Sequence, residues 1–376
     1  MRKIIKDNYI LFIYLILQMI VVIFALQKDN IIGEDYKMSK ATIFHFASLF
    51  LFILGYIPFN PNIVHRSLKK KTIEISSKFF TLSYILIVVG LITSIITIGS
   101  ILSPQEYILL LFKGGDGITD IRLQSGEGGL GGIFKMLNYS PLAIYLISSS
   151  YYNFIDFSEK DKSRLVKLKN VALIASVIKV LFSLDRLTIL AILIVQVYEK
   201  VVVKKINAKL LIALPLIVFF LGFITSNRMS DSGTFGFLIT YFKLSLVNYQ
   251  LVIDHYDNWT FGWNTFLMPM YYILKFFGIN KDIPVPDQWV WNPAQYFNSS
   301  FYMDFGIFSI PCFFLLGYII RKIQIKAIDG HLFFTSIYFI SLFAISTFIS
   351  VPFIRGIEFW VSLVIAFVTS KIIIAK

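Results

Sequence analysis

The chain has 376 residues, of which 57% are hydrophobic, 17% aromatic and only 15% charged, with a formal net charge of +13. Soluble domains carry about 25% charged residues, so this chain has too little polar surface to cover itself in water. The 38 Phe and the single Cys (Cys312) also exclude a disordered chain and a disulfide scaffold. What remains is an all-α, polytopic integral membrane protein, whose basic loops account for the positive charge without nucleic acid.

A span needs about 20 mostly apolar residues to cross a hydrocarbon core of about 30 Å. Ten segments read as spans: Tyr9–Leu26, Ala41–Ile57, Phe79–Ile98, Ile133–Ile155, Val171–Leu184, Leu187–Val203, Leu210–Ser226, Tyr302–Ile320, His331–Ser350 and Ile357–Ile374. The first is interrupted only by Gln18 and is expected to be an uncleaved anchor. The fifth and sixth are short and separated by Asp185 and Arg186. Placing both termini in the cytoplasm puts 22 of the Lys and Arg residues in the cytoplasmic segments and 11 in the outer ones. Every cytoplasmic loop, including Asp156–Asn170, is then basic, as the positive-inside rule requires. The expectation is a single membrane domain over 1–376 with ten transmembrane helices.

Two outer segments are long, 99–132 and 227–301. In the first, eight of the nineteen residues Gly114–Gly132 are Gly. Gly126, Gly128 and Gly131 match a dinucleotide fingerprint, but no strand precedes them, so a lid or hinge is the better reading. In the second, Phe235–Tyr256 and Gly262–Gly278 carry apolar and aromatic residues at helical spacing. They are expected to be helices lying at the membrane interface. No internal repeat is visible. The four histidines (His45, His65, His255, His331) show no ligand spacing, so no metal site is expected. Asn258-Trp-Thr260 and Asn298-Ser-Ser300 fit a glycosylation triplet, a pattern common by chance.

Arginine carries the functional signal. Arg122, Arg186, Arg228 and Arg355 all fall on the outer side, three of them at or near span ends. Each could pair with a neighbouring carboxylate: Asp185, Asp231 or Glu358. Several on one side point to a shared anion, because guanidinium is always charged and grips phosphate oxygens with two donors. Lys179 lies inside the fifth span, where a lysine is costly and faces a cavity or partner. If that helix continues to Arg186, the two share a face two turns apart.

Phe261-Gly-Trp-Asn-Thr-Phe266, Ser300-Phe-Tyr-Met-Asp-Phe-Gly306 and Arg355-Gly-Ile-Glu358, set in this topology, resemble bacterial O-antigen and capsule repeat-unit polymerases of the Wzy type. The Arg-x10-Gly pattern of some relatives is absent after Arg122, Arg186, Arg228 and Arg355. The resemblance implies inverting glycosyl transfer at the outer face of the bacterial cytoplasmic membrane, between oligosaccharides carried on a polyprenyl (undecaprenyl) diphosphate. It implies no cofactor, with membrane lipids and a chain-length regulator as further partners. On that reading Arg186, Arg355, Arg228, Arg122 and Lys179 hold the diphosphate. The general base is His255, with Glu358 and Asp304 as competitors. A flippase for the same lipid-linked sugar is the rival. A membrane acyltransferase would want a histidine in a span; His45 is there, with nothing in the sequence beside it.

Overall fold

The structure, a computed structural model, describes residues 8–25, 38–57, 73–99, 102–103, 105–107, 109, 136–183, 186–203, 233–256, 259–279, 296–349 and 353–374. Regular structure in these residues is helical. In chain order, α1 is Tyr9–Ala25, α2 Ser39–Tyr56, α3 Ser77–Gly99, α4 Ser140–Phe154, α5 Glu159–Ser183 and α6 Arg186–Val197, which runs on as a π-helical turn, Tyr198–Val203. Then follow α7 (Gly233–His255), α8 (Leu267–Phe276), α9 (Phe297–Phe305), α10 (Ser309–Ile328), α11 (Leu332–Ser346) and α12 (Ile357–Ile372). The only β pairing among them is two isolated bridges, Ile73 with Phe157 and Ile75 with Ile374.

Ser39–Tyr56, Ser77–Thr97 and Phe297–Ile328 are long and apolar enough to cross a membrane, and Tyr9–Ile23 and Leu332–Ser346 are shorter apolar helices. The expected span Leu210–Ser226 lies outside the described residues. Two helices form the centre: residues 140–151 of α4 and 335–348 in and after α11 are buried without a break. Around them, α1, α3 and α12 expose apolar faces, among them Ile16, Ile23, Ile85, Val88, Val364 and Phe367. A helix in water would put polar residues there; these faces suit an apolar surrounding.

The segments expected on the cytoplasmic side gather at one end of the bundle. The backbone N–H of Ser76 donates to Ile373 O at 2.8 Å, that of Ile75 to Asp161 Oδ2 at 3.0 Å, and Arg321 to Asn8 Oδ1 at 3.2 Å. This is the basic end. Asp156–Asn170, expected as a loop, is helical from Glu159. Its Ser158 hydroxyl accepts the Asp161 N–H at 3.2 Å, a capping arrangement that starts α5 three turns before the apolar run.

Three further expectations concern single elements. First, whether Lys179 and Arg186 share one helix face turns on residues 184–185, which lie outside the described residues. Second, α7 does not lie on the surface: residues 243–250 are all buried, and the helix packs on α1 and α2. Gln250 Oε1 accepts the Ala41 N–H at 2.9 Å, and Lys40 reaches Asp254 at 2.6 Å. By contrast α8 keeps Ile273 and the following Phe277 exposed, as an interfacial helix would. Third, the helical stretch Phe297–Ile328, long and apolar enough to cross a membrane, bends within the expected span Tyr302–Ile320. Gly306 (φ 56°) breaks the helix, and α9 folds back along the start of α10, bringing Phe297 and Phe301 to 5.8 and 5.6 Å from Phe313. Only glycine fits there, because a Cβ on Gly306 would lie 2.7 Å from the Trp259 indole nitrogen.

Candidate functional site

The end opposite the basic one assembles residues that are distant in sequence around Asp304. This carboxylate closes α9 with no solvent exposure. Its Oδ1 accepts the Thr260 hydroxyl at 2.5 Å and the Asn264 N–H at 2.8 Å, and its Oδ2 accepts the Thr265 N–H at 2.6 Å. The backbone adds Thr260 N–H to Met303 O and Phe261 N–H to Asp304 O, both at 3.1 Å. The Asn264 amide in turn donates to the Thr260 hydroxyl oxygen at 2.7 Å. Phe261 and Gly262 take positive φ (49° and 93°), which curls residues 260–265 into a loop that presents two consecutive N–H groups to one carboxylate. Phe261 is left 73% exposed at its tip, beside Trp259.

Across from this loop lies the turn Phe353–Arg355 that precedes α12. Phe353 is wedged among Tyr139, Phe343 and Phe359, and its N–H donates to Thr347 Oγ1 at 2.8 Å. That fixes the backbone from which Arg355 projects. Burial pulls the Arg355 guanidinium down to about 10, against the opposing pull of the Asp304 carboxylate. It stays charged at neutral pH. Its Nε is buried with no hydrogen-bond partner. Glu358 sits in the first turn of α12, where a carboxylate suits the helix dipole, and its Oε2 curls back over Gly356. From α8, Tyr272 comes close enough for the Glu358 charge to add to the burial that raises its phenol.

An apolar groove of about 390 Å³ opens beside this turn, between α3, the turn before α4, and α12. Leu82, Leu86, Leu137, Trp360, Val364 and Val368 line it. Trp360 joins the parts: its indole N–H donates to Ile354 O at 3.0 Å, and its ring meets Phe266 at 6.0 Å. Through Trp360 the groove wall is therefore tied to the residue before Arg355 and to the end of the Asp304 loop.

Of the residues expected from sequence, Arg355, Asp304 and Glu358 are brought together. Lys179 approaches from α5, buried, with its ammonium 3.1 Å from the centre of the Tyr139 ring, which itself touches Phe353. His255 is exposed at the end of α7, one residue before Tyr256, whose phenol comes near Asn264 and Thr260 of the loop. Arg122, Arg228 and the glycine segment 114–132 lie outside the described residues, and of Arg186 only the backbone is described. As a general base Asp304 is compromised: both its oxygens are already committed to the loop, so it shapes the site. No group of three His, Cys, Asp or Glu that could hold a metal occurs among the described residues. Asn298, in one of the glycosylation triplets, is buried.

The loop donors Thr260, Asn264 and Thr265, and the linking rings of Trp360 and Tyr272, were not singled out from sequence as parts of a site. Four of the five had a signal, lying in or beside the motifs quoted around Gly262 and Arg355. Comparisons with protein-family models, with curated proteins and with solved structures find no match for this chain.

Proposed function

We propose that the protein is a membrane glycosyltransferase that polymerises polyprenyl-diphosphate-linked oligosaccharide repeat units into O-antigen or capsular polysaccharide. It acts at the outer face of the bacterial cytoplasmic membrane, with ten spans and both termini cytoplasmic. The observation that carries this reading is a charged, largely buried guanidinium whose turn is joined through Trp360 to the wall of an apolar groove. A lipid diphosphate has the matching form, an anionic head on a hydrocarbon tail.

In this mechanism Arg355 holds the diphosphate oxygens and stabilises the charge that builds on them as the lipid leaves. Lys179 adds positive potential at the edge, and the α3–α12 groove seats the first part of the tail. A hydroxyl of the incoming unit attacks the anomeric carbon from the face opposite the diphosphate. The new C–O bond forms as the sugar–phosphate bond breaks, and the hydroxyl proton passes to Glu358 or His255. Glu358 has the better position, since it shares the Arg355 turn. Asp304 holds the loop that walls the site.

Replacement of Arg355 by Lys should impair polymerisation nearly as much as replacement by Ala, by roughly 100-fold, because one ammonium cannot make two parallel bonds to phosphate. Protein abundance should stay near that of the unmodified chain. Normal polymer length from Arg355→Lys would defeat the assignment. The helix reversal at Gly306 favours the flippase alternative, since transporters build substrate sites from interrupted helices. Deleting the gene separates the two: a polymerase leaves single repeat units on the cell surface, and a flippase leaves none.

A further inference from the structure

Three side chains that the Arg355 site does not use form a polar network deep among the helices. Gln18 of α1, His45 of α2 and Tyr296, the residue before α9, are each at most 1% exposed. The Tyr296 hydroxyl lies 2.5 Å from His45 Nδ1 and 2.9 Å from Gln18 Oε1. A carboxamide oxygen only accepts, so the single hydroxyl proton goes to Gln18. His45 Nδ1 must then donate to the Tyr296 oxygen, and Nε2 keeps its lone pair. Two bond directions fix the tautomer of the ring.

His45 Nε2 and Gln18 Nε2 both lack a hydrogen-bond partner and are shut off from solvent. Neither is further from the Tyr296 hydroxyl than one ring or one amide beyond the atom that bonds to it. Ser48, three residues after His45 on the same side of α2, buries a third unpartnered polar atom, its hydroxyl. Buried polar groups are rarely left unbonded, so the chemistry of these three atoms describes what they bind. An anion would suit the Gln18 amide and repel the His45 lone pair. A cation would do the reverse. A hydroxyl suits each in turn, since it can donate to His45 Nε2 or accept from Gln18 Nε2.

We infer that Gln18, His45, Ser48 and Tyr296 form a buried binding site for a hydroxyl group, of water or of a polyol, with His45 Nε2 as its acceptor. The inference is independent of the proposed polymerase activity and extends to no bond-making step.

The test uses the full chain in lipid nanodiscs with nitrogen-15-labelled histidine, read by solid-state NMR. His45→Asn identifies the His45 signals by their loss. Should that variant fail to accumulate, Tyr296→Phe identifies them by a selective shift, since it keeps the ring that packs on His45 and Tyr249. At neutral pH the expected result is a proton on Nδ1, none on Nε2, and a magnetisation-transfer peak from exchangeable hydroxyl protons to Nε2. Glycerol, added with its carbon-bound protons visible, separates the sources. A peak unchanged by glycerol assigns the site to water, and one replaced by contacts to glycerol carbons assigns it to polyols. Tyr296→Phe should replace the single tautomer by a mixture. A proton on Nε2 in the unmodified chain would overturn the proposal, as would an Nε2 in contact with neither water nor glycerol.

Discussion

Asp304 shows what one buried carboxylate can organise. It ends α9, takes a hydroxyl and two backbone N–H donors from a loop some forty residues earlier in the chain, and acts electrostatically on Arg355. Asp304→Asn keeps the size but turns an amide NH2 toward at least one N–H donor. The loop should loosen by about 1–3 kcal/mol, the cost of an unmatched buried donor. Thermal unfolding checks this, and an unchanged midpoint would show that the loop holds without the charge. Asp254 offers a pH test of a different contact. Its carboxyl is held below the ordinary carboxylate value, first by the Gln250 hydrogen bond and then by Lys40. A lowered carboxylate pKa stabilises the fold at pH values above the ordinary one, and that contribution is lost as pH falls through the lowered value. Spin labels on the start of α2 and the end of α7 should therefore separate in acid, and Asp254→Asn should remove the pH dependence of that distance.

Among the elements, the α2–α10 crossing is the tightest contact. A Cβ on Gly55 would lie 1.9 Å from Phe314 O, and one on Gly317 would lie 2.2 Å from Phe52 O, so backbone meets backbone in both directions. Such close packing of small residues is how helices associate where apolar burial gives no drive. Gly55→Ala and Gly317→Ala should each destabilise by about 1–3 kcal/mol or more, since neither neighbour is a side chain that can move aside. Gly99→Ala, where nothing lies within 4 Å, should be neutral and serves as the control. Unfolding in detergent measures all three, and an undiminished Gly317→Ala would contradict the crossing. Hydropathy made α2 and α3 legible in the sequence, because their boundaries are set by where apolar residues stop. It could not show α7 enclosed or α9 reversed. Period and hydropathy record how apolar a face is, whereas enclosure depends on which neighbour covers it, and the reversal turns on Gly306 meeting Trp259.

At the scale of the molecule, the gathering of residues 8–9, 73–77, 155–161, 321–331 and 372–374 at the basic end is what a common cytoplasmic side for both termini requires. A reporter active only outside the membrane, fused after Lys376, should be silent, and activity there would overturn the proposed ten-span topology. The candidate site was legible in part. Arg355, Glu358 and Asp304 stood out because charge is rare in so apolar a chain. The loop donors did not, because backbone N–H groups carry no residue signature and Thr260, Asn264 and Thr265 are ordinary polar residues. The returning helix α9 also bears on the order of synthesis. Its buried Asn298, Ser299, Ser300 and Asp304 make it a poor candidate to enter lipid alone. Its polar partners Thr260, Asn264 and Thr265, like Gln18 and His45 on the preceding Tyr296, are all earlier in the chain and leave the ribosome first. Among the aromatic ones Phe44 and Tyr249 precede it, whereas Phe313 and Phe348, which cover its Phe297, come after it. Nascent α9 thus meets a prepared polar berth before its greasy lid has been made, and truncation of the chain just after Phe305 should already give the loop its native protection from protease.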